Sequence, residues 1–100
     1  MLLNKSNIVK RIIENIELFD EFDKVYIFGS ILETHKQSND IDILLLYSVF
    51  KTQMQENASQ ICKHLESVSG YPVDITILSF QEEKDTKFID RLNNKYFCVK

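Results

Sequence analysis

The sequence predicts a single mixed α/β domain in which helices cover a small sheet of three or more strands. Three observations support this prediction. Helical and strand-like patterns alternate along the 100 residues, hydrophobic residues make up 44% of them, and the chain has only two glycines and one proline. A chain of this length has room for one hydrophobic core. We therefore expect residues 1–100 to form one domain with the element order α-β-α-β-α-β-α.

The first part of the chain predicts a helix followed by a strand. Across residues 7–19, apolar side chains recur at three- and four-residue spacing with charged side chains between them, and Ser6 is suited to cap this helix. Residues 25–28 form a β-branched and aromatic run that ends at Gly29-Ser30. A turn or a short helix is expected to follow.

A second strand is predicted at residues 41–47. The sequence Ser38-Asn39-Asp40 before it is typical of a turn. Residues 41–47 are so apolar that both faces of this strand should be covered over most of its length.

Two further helices and a third strand are predicted in the second half. Thr52 with Gln55 matches a capping box, and Gly70 is suited to end the helix that follows. Residues 71–78 alternate as a strand does. Ser79 with Glu82 forms another capping box, which predicts a helix running to about residue 92, and residues 96–99 fit either an edge strand or a packed terminus.

Composition excludes several classes of protein. The chain has 12 Lys and Arg against 15 Asp and Glu, for a net charge of −3. This balance argues against a domain that coats nucleic acid and against a basic domain that binds a membrane surface. The longest apolar run, residues 43–47, is far shorter than the roughly 20 residues of a membrane span, so we expect a cytoplasmic protein. Cys62 and Cys98 lie too far apart to suggest a disulfide scaffold or a thiolate metal site.

Three aspartates carry the most informative pattern. Asp40 and Asp42 are two residues apart at the start of a strand, so their side chains should project to the same side. Asp74 can join them if its strand lies beside theirs. Adjacent carboxylates repel one another, and magnesium, which prefers oxygen ligands, would offset that repulsion. Three carboxylates can hold the two metal ions that assist a phosphoryl displacement.

Gly29 and Ser30 are candidate phosphate-binding residues. Glycine at the end of a strand permits close approach of a phosphate, and the serine hydroxyl with the free N–H groups of a following helical turn can bind an anion. Exposed His35 and Lys36 could add positive charge, although a solvated surface pair is the more ordinary interpretation.

These residues together resemble the signature of the minimal nucleotidyltransferases of the DNA polymerase β superfamily. The resemblance covers residues 24–80 and includes Phe28-Gly29-Ser30, Asp40-Ile41-Asp42 and Val73-Asp74. It implies transfer of a nucleoside monophosphate from a nucleoside triphosphate to a hydroxyl, with two Mg²⁺ ions that Mn²⁺ could replace. Asp40, Asp42 and Asp74 would be catalytic and metal-binding residues, and Gly29 and Ser30 would hold the triphosphate.

The resemblance leaves alternatives open. Many stand-alone members are similar to antitoxins that act on a helical HEPN-type toxin, so the acceptor could be such a partner. Ile31-Leu32 after the motif and the short length favour an alternative, a non-catalytic binding module that neutralises a partner. A nucleotide sensor is a third hypothesis, and Asp40 alone could be an ordinary turn residue. Nucleobase, acceptor and pairing with a second copy are not fixed by the sequence.

Overall fold

The computed structural model describes residues 5–32 and 40–100, with side chains from residue 7 onward. The expected turn at Ser38-Asn39 and the pair His35 and Lys36 lie outside the described residues. Three α-helices, four strands and three short 3₁₀ helices follow one another in this part of the chain. In order they are α1 (Lys5–Glu14), a 3₁₀ helix (Ile16–Phe19), β1 (Lys24–Phe28), a 3₁₀ helix (Ser30–Leu32), β2 (Ile41–Tyr47), α2 (Met54–Ser69), β3 (Val73–Ser79), α3 (Phe80–Thr86), a 3₁₀ helix (Asp90–Leu92) and β4 (Tyr96–Cys98).

The strands form one mixed sheet in the order β3-β2-β1-β4. β2 pairs parallel with β3, whereas β1 pairs antiparallel with β2 on one side and with β4 on the other. The predicted α/β class with a small mixed sheet under helical cover is confirmed. The tail at residues 96–99 contributes an edge strand, which resolves the alternative that the sequence left open.

β2 is the central strand, and it is buried on both faces as its composition predicts. Ile43 and Leu45 face the main core, which α1 and α2 cover, and neither has more than a trace of exposed surface. Leu44 and Leu46 alternate with them and are also buried, on the face where α3 contacts β2. Each face of β2 is therefore covered by helices. This packing holds the beginning of β2 in place.

The first helix differs from its prediction at both ends. Ser6 lies inside α1 (Lys5–Glu14) and does not precede the helix as a cap. The helix ends at Glu14, and the periodic pattern continues as the 3₁₀ helix Ile16–Phe19. A 3₁₀ turn places side chains three residues apart on one face, so the same apolar spacing serves both helix types.

The capping box predicted for α2 is wrong. The residue before α2 is Gln53, whose backbone is already in the helical region and whose side chain makes no capping hydrogen bond. Thr52 therefore lies in the turn before the helix, and Gln55 is one residue too early for the reciprocal bond that a capping box needs. The predicted end is correct, because Gly70 adopts a left-handed conformation with φ of 81°.

The capping box of α3 is present as predicted. The Ser79 hydroxyl accepts a hydrogen bond from the backbone N–H of Glu82 at 3.0 Å, and the Glu82 carboxylate accepts one from the N–H of Ser79 at 3.0 Å. α3 is shorter than expected, because Lys87 adopts a left-handed conformation and ends it. Within residues 5–32 and 40–100, no helix combines the length and the apolar character that crossing a membrane requires.

Candidate active site

Strand pairing brings the three aspartates together. In the parallel pair β2–β3, Asp42 lies directly beside Asp74, so both side chains project from the same face of the sheet. Asp40 precedes β2 by one residue and projects to the same side. Each of the three can offer a carboxylate oxygen, and these oxygens lie within 4.8 Å of one another. The proximity that the sequence predicts is thus a feature of the structure.

The cluster makes two of these carboxyl groups hard to ionise. Burial, and then the charges of Asp40 and Asp74, raise the pKa of Asp42 to about 6. A hydrogen bond with the Asp74 carboxyl is the main cause that raises the pKa of Asp40, with burial and the Asp74 charge adding to it. A bound cation would offset the negative charges of these carboxylates and relieve their repulsion.

Gly29 gives the carboxylates the space that they occupy. β1 pairs antiparallel with β2 so that Phe28 lies beside Asp42, and Gly29 follows with φ of 87°. A Cβ at Gly29 would collide with Oδ2 of Asp42 and lie 3.3 Å from its Cγ. Glycine is therefore required at this position for two reasons, namely its backbone conformation and its lack of a side chain.

The chain turns back into the core directly after Gly29. Ser30 begins a 3₁₀ helix, and Leu32 donates a backbone hydrogen bond to the carbonyl of Gly29 at 3.1 Å. Ile31, the apolar residue directly after Gly29-Ser30, is 1% exposed and belongs to the main core. Its apolar character thus serves packing. Ser30 follows Gly29, which lies against the Asp42 side chain, and its binding of phosphate stays a prediction.

The donor set suits magnesium. Magnesium binds oxygen ligands at about 2.0–2.1 Å, so two oxygens on one ion lie at most about 4.2 Å apart. The oxygens of Asp40, Asp42 and Asp74, within 4.8 Å of one another, need only small side-chain rotations to meet that requirement. All three donors are carboxylates, and the raised pKa values of Asp40 and Asp42 mark a place where positive charge is favoured. The residues present therefore fit the metal that the resemblance implies.

Two residues next to the cluster were not found by sequence reasoning. Glu66 and Cys62 of α2 hydrogen bond to the backbone of Val73, the residue immediately before Asp74. Their spacing of four residues places them on one face of the helix. That spacing is the signal in the sequence, but it does not say which backbone groups they reach. His64 is exposed on the same helix.

Comparison with known proteins identifies the family. A model of the polymerase beta nucleotidyltransferase family matches residues 10–96, and the chain belongs to this family. The match includes all five candidate site residues. No curated protein matches the sequence significantly.

Solved structures share the fold at low sequence identity. A Sulfolobus solfataricus protein described as a candidate nucleotidyltransferase superposes with a TM-score of 0.57 and 22% identity, over 95% of this chain and 81% of its own. A chain from the complex of a tri-AMPylated Shewanella oneidensis HEPN toxin with its MNT antitoxin gives 0.60 and 16%, over 96% and 71%. A toxin–antitoxin structure with AMP-PNP gives 0.58 and 21%, over 98% and 73%.

Proposed function

We propose that this domain is a magnesium-dependent nucleotidyltransferase that moves a nucleoside monophosphate from a nucleoside triphosphate to a hydroxyl group. One observation carries the proposal. Three carboxylates from the beginnings of two parallel strands meet beside a glycine that leaves room for them. Membership of the polymerase beta nucleotidyltransferase family supports the same reaction class.

Each site residue has a role in this proposal. Asp40, Asp42 and Asp74 bind the metal, and Gly29 and Ser30 hold the triphosphate at the end of β1. Asp74, which is the exposed member of the cluster, also orients the acceptor hydroxyl and takes its proton. The acceptor oxygen bonds to the α-phosphorus while the bond from that phosphorus to the bridging oxygen breaks, and pyrophosphate leaves. When bound, magnesium neutralises phosphate charge and stabilises the charge that develops during this displacement.

The proposed acceptor is a hydroxyl side chain on a partner protein of the HEPN type. Two of the similar structures are toxin–antitoxin complexes, one with an AMPylated toxin and another with AMP-PNP. These neighbours favour adenosine triphosphate as the nucleotide to test first, and a toxin encoded by an adjacent reading frame as the protein to test first. In such a pair this domain would be the antitoxin.

The test is nucleotide transfer in a purified system. The domain is incubated with the product of the neighbouring reading frame, Mg²⁺ or Mn²⁺, and each labelled triphosphate in turn. We expect label on the partner, loss of labelling with Asp42→Ala, and normal labelling with Asp20→Ala, which removes an exposed carboxylate elsewhere. Full labelling by Asp42→Ala, or no transfer under any combination, would contradict the proposal.

A second candidate function is partner binding without turnover. Three large apolar side chains are exposed near the far ends of β2 and β3 from the aspartates: Val49 at 68%, Phe50 at 53% and Phe80 at 40%. Exposed apolar patches often mark protein–protein contacts. If the Asp40, Asp42 and Asp74 triple Ala variant still neutralises the partner, binding and not catalysis is the biological activity.

A further inference from the structure

The backbone of Val73 faces the open edge of the sheet. β3 is the last strand in the order, so it has a neighbour on one side only. Ile41 at the start of β2 donates a hydrogen bond to the carbonyl of Pro72 at 2.9 Å, so that carbonyl points toward β2. Because backbone groups alternate in direction along a strand, the N–H and the carbonyl of Val73 point away from β2.

Two side chains of α2 satisfy these backbone groups. The Glu66 carboxylate accepts a hydrogen bond from the N–H of Val73 at 2.9 Å, and the Cys62 thiol donates one to its carbonyl at 3.3 Å. Val73 is 6% exposed, so neither backbone group has ready access to water. Together the two side chains make the bonds that a neighbouring strand would otherwise supply.

Glu66 also closes the turn between α2 and β3. Its backbone carbonyl accepts a hydrogen bond from the N–H of Gly70 at 3.0 Å, where the helix ends. Within the same turn, the Ser69 hydroxyl accepts one from the N–H of Tyr71 at 3.1 Å. One residue thus fixes the end of the helix through its backbone and the beginning of the strand through its side chain.

Asp74 is the site residue whose position most needs such support. Asp40 and Asp42 lie at the start of the central strand, which has partners on both sides. Asp74 is exposed and follows the first residue of an edge strand, where backbone fraying is easiest. Any loosening at Val73 would move the Asp74 carboxylate away from the other two.

We propose that Glu66 and Cys62 are positioning residues of the active site, which hold Asp74 in metal-binding geometry through the backbone of Val73. The inference rests on the proposed function, since it assigns the support of that same metal site. Residues that hold metal ligands in place typically change metal affinity by about 10- to 100-fold when they are removed. Glu66, with its charged acceptor, should contribute more than Cys62.

The test measures Mn²⁺ affinity of the metal-free protein by titration calorimetry at pH 7.5. We expect Glu66→Ala to weaken Mn²⁺ binding about 10-fold. Glu66→Gln should weaken binding less than Glu66→Ala does, because its amide oxygen can still accept the hydrogen bond although the charge is gone. Glu56→Ala, which removes an exposed carboxylate from the same helix, should leave the affinity unchanged. Amide exchange by NMR should accelerate at Val73 in Glu66→Ala alone.

Cys62 provides a second pair of variants should Glu66→Ala fold poorly. Cys62→Ala removes the bond to the Val73 carbonyl and should weaken Mn²⁺ binding by a smaller factor, whereas Cys62→Ser retains a donor and should restore it. Equal Mn²⁺ affinity in Glu66→Ala and the unchanged protein, or equal weakening by Glu66→Ala and Glu66→Gln, would overturn the positioning role alone. Absence of Mn²⁺ binding in the unchanged protein, or normal binding by Asp42→Asn, would overturn the metal site and this inference with it.

Discussion

Asp42 lies where a buried apolar strand meets two other carboxyl groups, and this position makes its negative charge costly. Burial, and then the charges of Asp40 and Asp74, raise its pKa to about 6, from a usual value of 3.8. Well below pH 4 the group is neutral in the folded and the unfolded chain, so it has no effect on stability there. Between about pH 4 and pH 6 the unfolded chain loses the proton first, so the metal-free fold loses stability as the pH rises.

Asp42→Asn should therefore stabilise the metal-free protein at neutral pH. The amide has nearly the same shape and carries no charge, so it avoids the cost of ionising the carboxyl in the folded state. We expect a gain in unfolding free energy on the order of 1 kcal/mol at pH 7.5, which shrinks toward zero as the pH falls to 4. This gain is smaller than the full pKa shift would imply, because solvent screens the half-exposed side chain. Urea unfolding in EDTA at several pH values measures it.

The matched control for this substitution is Asp20→Asn, which removes an exposed carboxylate outside the cluster. It should change the unfolding free energy by less than about 0.5 kcal/mol at any of these pH values. If Asp42→Asn destabilises the metal-free protein at pH 7.5, the repulsion within the cluster is not what governs its stability.

Gly29→Ala should strain the site through its contact with Asp42. The left-handed backbone costs an alanine roughly 1–2 kcal/mol, and the collision of its Cβ with the Asp42 carboxylate adds to that cost. In a double-mutant cycle with Asp42→Ala, the second substitution should recover the collision part, with a coupling above about 0.5 kcal/mol by urea unfolding. Purely additive effects would show that backbone conformation alone requires glycine there.

At the level of residues, the sequence predicts the cluster but not its supports. Asp40 and Asp42 share a side through simple strand alternation, and Asp74 joins them once the two strands are neighbours. Glu66 and Cys62 could not be assigned in the same way. Their partners are backbone groups of Val73, and which backbone groups lie within reach of a helix follows from how it packs on the sheet.

Among the elements, α2 and α3 show that a capping-box sequence does not by itself determine where a helix begins. Both helices follow a sequence that fits a capping box, but only Ser79 and Glu82 form one. Ser79 is the last residue of β3 and its backbone is extended, as a cap requires. Thr52 follows a loop, and α2 begins at Met54, one residue later than the pattern implied.

This difference predicts the effects of two matched substitutions. Ser79→Ala should cost about 1 kcal/mol, because it leaves the backbone N–H of Glu82 without its side-chain acceptor. Thr52→Ala should change stability by less than about 0.5 kcal/mol, because Thr52 is exposed and α2 has no side-chain cap. Urea unfolding measures both. A cost at Thr52 equal to that at Ser79 would indicate that Thr52 does cap α2, contrary to the structure.

For the whole molecule, topology was the part that the sequence could predict least. The element types follow from apolar spacing, but this spacing does not predict which strands are neighbours. The order β3-β2-β1-β4 brings Asp74 to Asp42 through parallel pairing and Gly29 to Asp42 through antiparallel pairing. A sheet with β3 elsewhere would have the same strands and helices and would not assemble the cluster, so the site depends on the fold as a whole.

The metal-free fold and the loaded fold should respond in opposite ways to loss of the cluster. Replacing Asp40, Asp42 and Asp74 by Asn removes repulsion, so the metal-free triple variant should melt no lower than the unchanged protein. A ligand at 100 times its dissociation constant stabilises a protein by about 2.7 kcal/mol, which for a domain of this size corresponds to a rise of about 10 °C or more. We expect that rise with Mg²⁺ and AMP-PNP in the unchanged protein, its loss in EDTA, and no rise in the triple variant. Thermal unfolding measures all three, and an equal rise in the triple variant would place nucleotide binding outside the three carboxylates.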